Sequence, residues 1–238
     1  MKLQCQNLTL PVTNYDFVTG DGVIYRHHGK LLPNTIRGVI CGPSNCGKTN
    51  VLLAILEHEN GLRYENVYIY SKSLDQPKYD FLKTVIVGDE ELELEPLEGL
   101  QYFEFSEHKQ VISPEKVLSY SIMIFDDLAL EKQDSVKEFY TRGRHKHVDC
   151  FYLCQSYSGV PKQNVRDNVN FLIIFSQDEL NLKHIYNNHV NTDMKFNEFK
   201  DVCHECWKNK HGFLVIDKDS DINNGRYRKG FHDYFIDK

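Results

Sequence analysis

No apolar run in this 238-residue chain approaches the ~20 residues that a membrane-spanning helix requires, so no transmembrane role is expected. The first residues, Met1-Lys2-Leu3-Gln4-Cys5-Gln6-Asn7, lack the apolar centre of a signal peptide, which predicts a protein working inside a cell. Internal repeats, low-complexity tracts and linker-like stretches are also missing, and that favours one large domain over two small ones. Positive charge is not in excess. With 28 Lys and Arg against 34 Asp and Glu, the net charge of −6 argues against a surface that binds nucleic acid all over, while leaving room for a local basic strip. Seven cysteines, an odd count scattered mostly through apolar segments, read as reduced thiols rather than a disulfide framework. A GTP switch needs the guanine-reading string N-K-x-D. The nearest string, Asn209-Lys210-His211-Gly212, has no Asp to recognise the base.

What is present is ordinary soluble-protein material, 41% hydrophobic and 26% charged, ample for a sizeable core. Within it stands Gly42-Pro43-Ser44-Asn45-Cys46-Gly47-Lys48-Thr49, which satisfies G-x-x-x-x-G-K-[ST] at every fixed position. Thr35 to Cys41 before it reads as a buried strand. Asn50 to His58 after it reads as a helix with an apolar stripe, so the motif has the strand–loop–helix context that a phosphate loop requires. Triphosphate oxygens call for several converging backbone N–H donors, and a helix N-terminus adds a favourable dipole. Gly42 and Gly47 let the backbone curl around phosphate; Pro43, Ser44, Asn45, Cys46 and Asn50 complete the cradle. Lys48 is expected on the β- and γ-phosphates and Thr49 on Mg²⁺.

Along the rest of the chain, residues 1–34 hold Gly20-Asp21-Gly22 between short apolar pieces, which predicts a small β-hairpin, with residues 1–30 as an N-terminal β extension and 31–238 as the main domain. Strands are predicted at Asn66–Tyr70, Leu100–Phe105, Ser121–Phe125, Asp149–Gln155 and Asn170–Phe175. Helices are expected at Gln76–Val85, from Ser113-Pro114, around Ser135–Tyr140, and over 178–188 and 194–207. A final β-hairpin, Gly212–Asp217 and Arg226–Phe235, turns at Asn223-Asn224-Gly225. Alternating strands and helices predict an α/β fold with a mostly parallel sheet and ligands at the carboxyl ends of its strands. Asp89 to Glu98, six acids without a base, reads as a solvated loop or a docking surface for a basic partner.

Four apolar residues running into Asp126-Asp127 make a buried strand with a charged tip, where a nucleotide site needs its second metal anchor. Asp126 is expected to hold Mg²⁺ and Asp127 to orient or deprotonate water. Gln155, at the end of the next strand, would sense the γ-phosphate or orient water. Tyr140 to His147 packs two arginines, a lysine and two histidines into eight residues. One arginine, Arg144 in preference to Arg142, would stabilise transition-state charge in a neighbouring subunit. Arg142, Lys146, Lys162 and Arg166 are candidates for DNA phosphates, the alternative being a solvated basic turn. Arg226, Arg228 and Lys229 read as a DNA-facing strip or as charges guarding an edge strand. Cys203-x-x-Cys206 with His204 and His211 is half a zinc pattern or a pair of core thiols. Cys46 is a candidate for oxidation.

GPSNCGKT after a strand, then IMIFDD, TRGRHKHVDCFYLCQSY, NVRDNVNFLIIF and the terminal GRYRKGFHDYFI together resemble the poxvirus-type genome-packaging ATPases of the FtsK/HerA lineage, found in large DNA viruses and in Polinton/adintovirus-like elements. The resemblance runs from about Leu31 to the C-terminus. It implies a RecA-like additional-strand P-loop core of strand order 5-1-4-3-2, with the last hairpin extending the sheet. It also implies ATP and Mg²⁺ as ligands, a homo-oligomeric ring, and a motor driving double-stranded DNA into a preformed capsid with a capsid or portal protein as partner. The place of action would be the host cell interior where virions assemble, cytoplasm or nucleus, or the virion. The family roles fall on Lys48, Thr49, Asp126, Asp127 and Gln155; Arg142, Arg144 and Arg166 compete for the finger. Asp127 stands where the wider lineage commonly has Glu. A HerA-like DNA-translocating helicase shares every motif, and a nucleotide-binding assembly factor without turnover is a third reading. A small-molecule kinase would need a lid and an acceptor pocket that the sequence does not suggest.

Overall fold

Side chains along the strands point alternately to two apolar layers, and this sets the architecture. In β1 (Arg37–Cys41), Val39 and Cys41 face one layer and Ile40 the other; in β4 (Ser121–Asp126), Met123 and Phe125 oppose Ile122 and Ile124. A sheet apolar on both faces has to be covered on both, the condition of interior parallel strands. The computed structural model describes residues 28–89 and 94–236. One face is covered by α1 (Lys48–Glu57) through Leu52, Ile55 and Leu56, and by α2 (Pro77–Val87) through Tyr79, Leu82 and Ile86. The other is covered by α3 (Asp134–Arg142), α4 (Glu179–Ile185) and α5 (Phe196–Cys206) through Val136, Phe139, Leu182, Phe199 and Cys203. Each such side chain contributes on the order of 1.5–3 kcal/mol on burial.

The remaining strands are β2 (Asn66–Ser71), β3 (Gln101–Phe105), β5 (Val148–Cys154), β6 (Phe171–Ile174), β7 (Leu214–Asp217), β8 (Tyr227–Lys229) and β9 (Asp233–Tyr234). Among the described residues they form one sheet in the order β3-β2-β4-β5-β1-β6-β7-β8-β9. Every pairing from β3 to β6 is parallel, and the pairings from β6 to β9 are antiparallel. The run β6-β1-β5-β4-β2 is the expected 5-1-4-3-2 when those strands alone are numbered along the chain. The departures are β3, added in parallel outside β2, and the three antiparallel strands beyond β6.

Several expectations change in detail. The hairpin about Gly20-Asp21-Gly22, and most of the 1–30 extension, lie outside the described residues. His28 is described and is tied to the sheet. Its Nε2 meets Asp149 Oδ2 at 2.9 Å, and its Nδ1 accepts from the Arg63 N–H at 3.1 Å. The helix expected at Ser113-Pro114 is a single turn, closed by Lys116 N–H donating to Ser113 O at 2.9 Å. Val117 is already buried and β4 begins at Ser121, so the segment has no length for a helix. The last strand is interrupted at Gly230, whose φ of 64° lies in the left-handed region. Arg226, Arg228 and Lys229 form no DNA strip and guard no edge, because each is paired internally. Arg226 bonds Asp193 at 3.0 Å, buried Arg228 bonds buried Asp217 at 2.6 Å, and Lys229 bonds Glu205 at 2.8 Å. Of the acidic run, Asp89 is half-buried and its backbone pairs with that of Leu94, while Glu95 to Glu98 is exposed.

The loop after β5 is anchored by Tyr157, whose hydroxyl lies 2.6 Å from His189 Nε2 in the π-helical turn Tyr186–Val190. Burial, then the charges of Lys218 and Arg166, push the His189 imidazole down to about 3. An unfolded histidine titrates near ~6.5. The unfolded chain therefore holds the extra proton in between, and stability present above ~6.5 is lost as pH falls toward 3, by about 1.4 kcal/mol per pH unit. Urea unfolding of wild type and His189→Gln at pH 7 and pH 5 tests this. The expected result is a loss steeper in wild type by about 2 kcal/mol.

Candidate nucleotide-binding site

The phosphate loop is shaped by its glycines. Gly42 N–H donates to Cys154 O at 3.0 Å, fastening the loop to the end of β5. A Cβ on Gly42 would stand 2.6 Å from Cys46 Sγ and from Phe175 Cβ, so the chain passes there only without a side chain. Gly47 caps α1 in the left-handed region, at φ 112°, and Asn45 shares that region at φ 61°. The first turn of α1 contains no acid of its own to oppose an anion at its N-terminus. Lys48 Nζ donates to the carbonyls of Gly42 at 2.7 Å and Pro43 at 3.0 Å, folding the ammonium over the loop.

Parallel register brings the other groups to the same edge. Asp126 ends β4, Gln155 follows β5, and the loop follows β1, all at carboxyl ends of neighbouring strands. One cleft of about 500 Å³ is lined by Ser44, Asn45, Gly47, Lys48 and Thr49 on one side and by Asp126, Asp127 and Gln155 on the other. Gly42, Pro43, Cys46 and Asn50 do not line it. Cys46 turns inward, and burial pushes its thiol up, which suppresses the thiolate that oxidation requires.

The two aspartates differ. Asp126 is 8% exposed; burial raises its carboxyl above the usual range, opposed by the hydrogen bond from Tyr79, while Asp127 raises it and Lys48 lowers it. The Tyr79 hydroxyl donates to Asp126 Oδ2 at 2.6 Å and stays protonated, its own ionisation pushed well above the ordinary range. Asp127 is exposed, adopts φ 56°, and accepts from Ser73 Oγ at 2.7 Å. Hard oxygen donors at Asp126 and Thr49, beside a loop that admits no side chain at Gly42, fit a hydrated Mg²⁺ with its nucleotide. Sequence reasoning missed Ser73, Tyr79, Gln76 and Lys78. The last two line the cleft, and all four arrive because β2 pairs with β4. No motif marks them.

The basic cluster does not join this cleft. Arg144 and Lys146 are exposed in the turn Gly143–Lys146 before β5, at the amino edge of the parallel strands. The seven residues of β5 separate them from Gln155 by about 20 Å. Arg142 is exposed beside Glu115 and Glu138, each at 3.4 Å. Lys162 is exposed in the loop after β5. Arg166 is unsuited to DNA or to a finger because it is buried. Its guanidinium donates to Val160 O and Ser158 O at 2.7 Å and lies 4.8 Å from the Tyr157 ring. Cys203 and Cys206 are buried core thiols on α5, and among the described residues no cluster of three metal-ligating side chains forms there. A larger hollow of about 710 Å³ lies at the amino ends of β2, β3 and β4, lined by Leu62, Leu97, Leu100 and Tyr120. It holds none of the motif residues.

A profile of the Poxvirus A32 protein matches residues 25–231. The chain belongs to that family. That family is one of viral genome-packaging ATPases. No curated protein matches the chain. Among solved structures, the genome packaging NTPase B204 of Sulfolobus turreted icosahedral virus 2, in complex with sulfate, is similar with a TM-score of 0.53 at 13% identity, over 82% of this chain and 96% of that one. The same NTPase with AMPPCP gives 0.51 at 10%, over 82% and 97%. B204 of Sulfolobus turreted icosahedral virus, a DNA-packaging ATPase, gives 0.51 at 12%, over 84% and 97%. At these identities the likeness is one of fold, and it spans nearly all of those chains. No described helix is long and apolar enough to cross a membrane.

Gly42→Ala is expected to displace the loop against Phe175, lowering stability by about 1–3 kcal/mol and abolishing phosphate binding. Thermal melting and nucleotide titration calorimetry measure the two effects.

Proposed function

We propose that the chain hydrolyses ATP with Mg²⁺ in a homo-oligomeric ring and couples that turnover to movement of double-stranded DNA into a preformed capsid. It would act where virions assemble, docked on a capsid or portal protein. The observation that carries the reading is the single cleft joining Lys48 and Thr49 to Asp126, Asp127 and Gln155. Lys48 would exchange its bonds to Gly42 O and Pro43 O for β- and γ-phosphate oxygens. Asp126, oriented by Tyr79, and Thr49 would hold the metal ion, which supplies charge neutralisation across the phosphates when bound. Asp127, exposed to the cleft and steadied by Ser73, would take the proton of the attacking water, with Gln155 orienting that water.

Arg144 sits at the far end of β5 from its own cleft, so its target would be a neighbour's γ-phosphate. That division suits a head-to-tail ring, in which the carboxyl edge of one subunit meets the amino edge of the next. Exposed Arg142, Lys146 and Lys162 would meet DNA phosphates. Nucleotide-complexed relatives of the same fold add support for the ligand class, with AMPPCP bound in one case.

ATPase activity with and without double-stranded DNA is the central test. Wild type should turn over and be stimulated by DNA, and Lys48→Ala should lose at least about a hundred-fold. Turnover that persists in Lys48→Ala would refute the site. Mixing Arg144→Ala subunits with wild type should depress turnover more steeply than their fraction; a proportional loss would count against a finger acting across subunits.

A further inference from the structure

Charge in the cleft is unevenly supplied. Its described lining carries two carboxylates, Asp126 and Asp127, and a triphosphate would add several more negative charges. Against these stand two lining cations, Lys48 and Lys78. Arg144 of the same chain is at the opposite edge of the sheet, and Arg166 is buried in its own loop. Lys78 therefore has a place in the electrostatics that no motif assigns to it.

Its position is set by its neighbours. Ser71, at the end of β2, pairs in register with Asp126. The segment leaving β2 is then bonded to both aspartates, by Ser73 Oγ to Asp127 at 2.7 Å and by the Tyr79 hydroxyl to Asp126 at 2.6 Å. Lys78 lies between these two ties, one residue before Tyr79, and they hold its backbone beside the cleft. It is half-buried, lines the cleft opposite the phosphate loop, and among the described residues makes no ion pair or hydrogen bond. The paired lysines near this edge differ in this respect. Lys48 bonds its own loop, and Lys72 pairs with Glu107 at 3.2 Å. A half-buried ammonium left unpaired beside a cleft loses hydration without recovering it, unless an anion enters.

We infer that Lys78 is a second cation for the triphosphate, supplied by the same chain and directed at its terminal phosphate from the side opposite Lys48. The inference rests on the nucleotide reading above and names a residue of that site. A cation at the terminal phosphate makes a charge-assisted contact that the diphosphate product cannot make. Lys78 would thereby separate ATP from ADP, while Lys48 and the loop hold both.

The test is affinity for ATPγS and for ADP, each with Mg²⁺, measured by fluorescence titration on full-length wild type, Lys78→Ala and Lys78→Arg. Lys78→Ala should weaken ATPγS about ten-fold and leave ADP within about two-fold, and Lys78→Arg should recover most of the difference. Unchanged melting by circular dichroism will show that the variants fold. If ATPγS and ADP weaken together, or neither changes, the assignment of Lys78 is overturned. A wild-type protein that binds neither nucleotide would instead overturn the nucleotide reading itself, a result distinct from any effect of the variant.

Discussion

The parallel pairing of β4, β5 and β1 is the constraint on which the site depends. Asp126 is registered with Leu153, and Cys41 with Cys154, so the charged tip of β4 and the mouth of the phosphate loop end at one level. The bond from Gly42 N–H to Cys154 O, at 3.0 Å, continues the ladder one step into the loop. In an antiparallel sheet these ends would alternate between two edges. Parallel pairing demands helical crossovers, the crossovers demand an apolar layer on each face, and that demand accounts for the continuous apolar runs of the strands. Catalytic geometry and core composition are thus two consequences of one arrangement.

Electrostatics inside the cleft are balanced by hydrogen bonds rather than by ion pairs. Asp126 is buried, and burial favours its neutral form. Tyr79 offsets part of that penalty by donating to one oxygen, which also fixes which oxygen remains for a ligand. Lys48 is in turn satisfied by carbonyls of its own loop, contacts that phosphate oxygens can replace without leaving a buried donor unmet. Asp127 takes the more exposed position and the left-handed backbone, so two adjacent carboxylates have different surroundings.

The opposite edge of the sheet has its own character. There the basic turn Gly143–Lys146 adjoins β5, Tyr120 stacks on His147 at 5.5 Å, and the apolar hollow opens beside Tyr120. The exposed Arg144 and Lys146 of that turn therefore lie at the edge opposite the cleft.

What sequence alone determined were the features that local chemistry dictates. Gly42 to Thr49 announces a phosphate loop because only that spacing gives a backbone able to surround an anion, and Ile122 to Asp127 announces a buried strand with an acidic tip. The five-strand core order followed from the family resemblance that those motifs support. Tertiary structure decided the matters that depend on which strand lies beside which. Pairing of β2 with β4 delivered Ser73 and Tyr79 to the aspartates and Lys78 to the cleft they line, although nothing in their local sequence marks them. The same structure withdrew Arg166, Arg228 and Cys203, whose residue types suggest DNA or metal but whose side chains are buried. Local spacing governs what a loop can bind, whereas burial and partnership are properties of contacts between remote segments, and those exist only once the sheet is assembled.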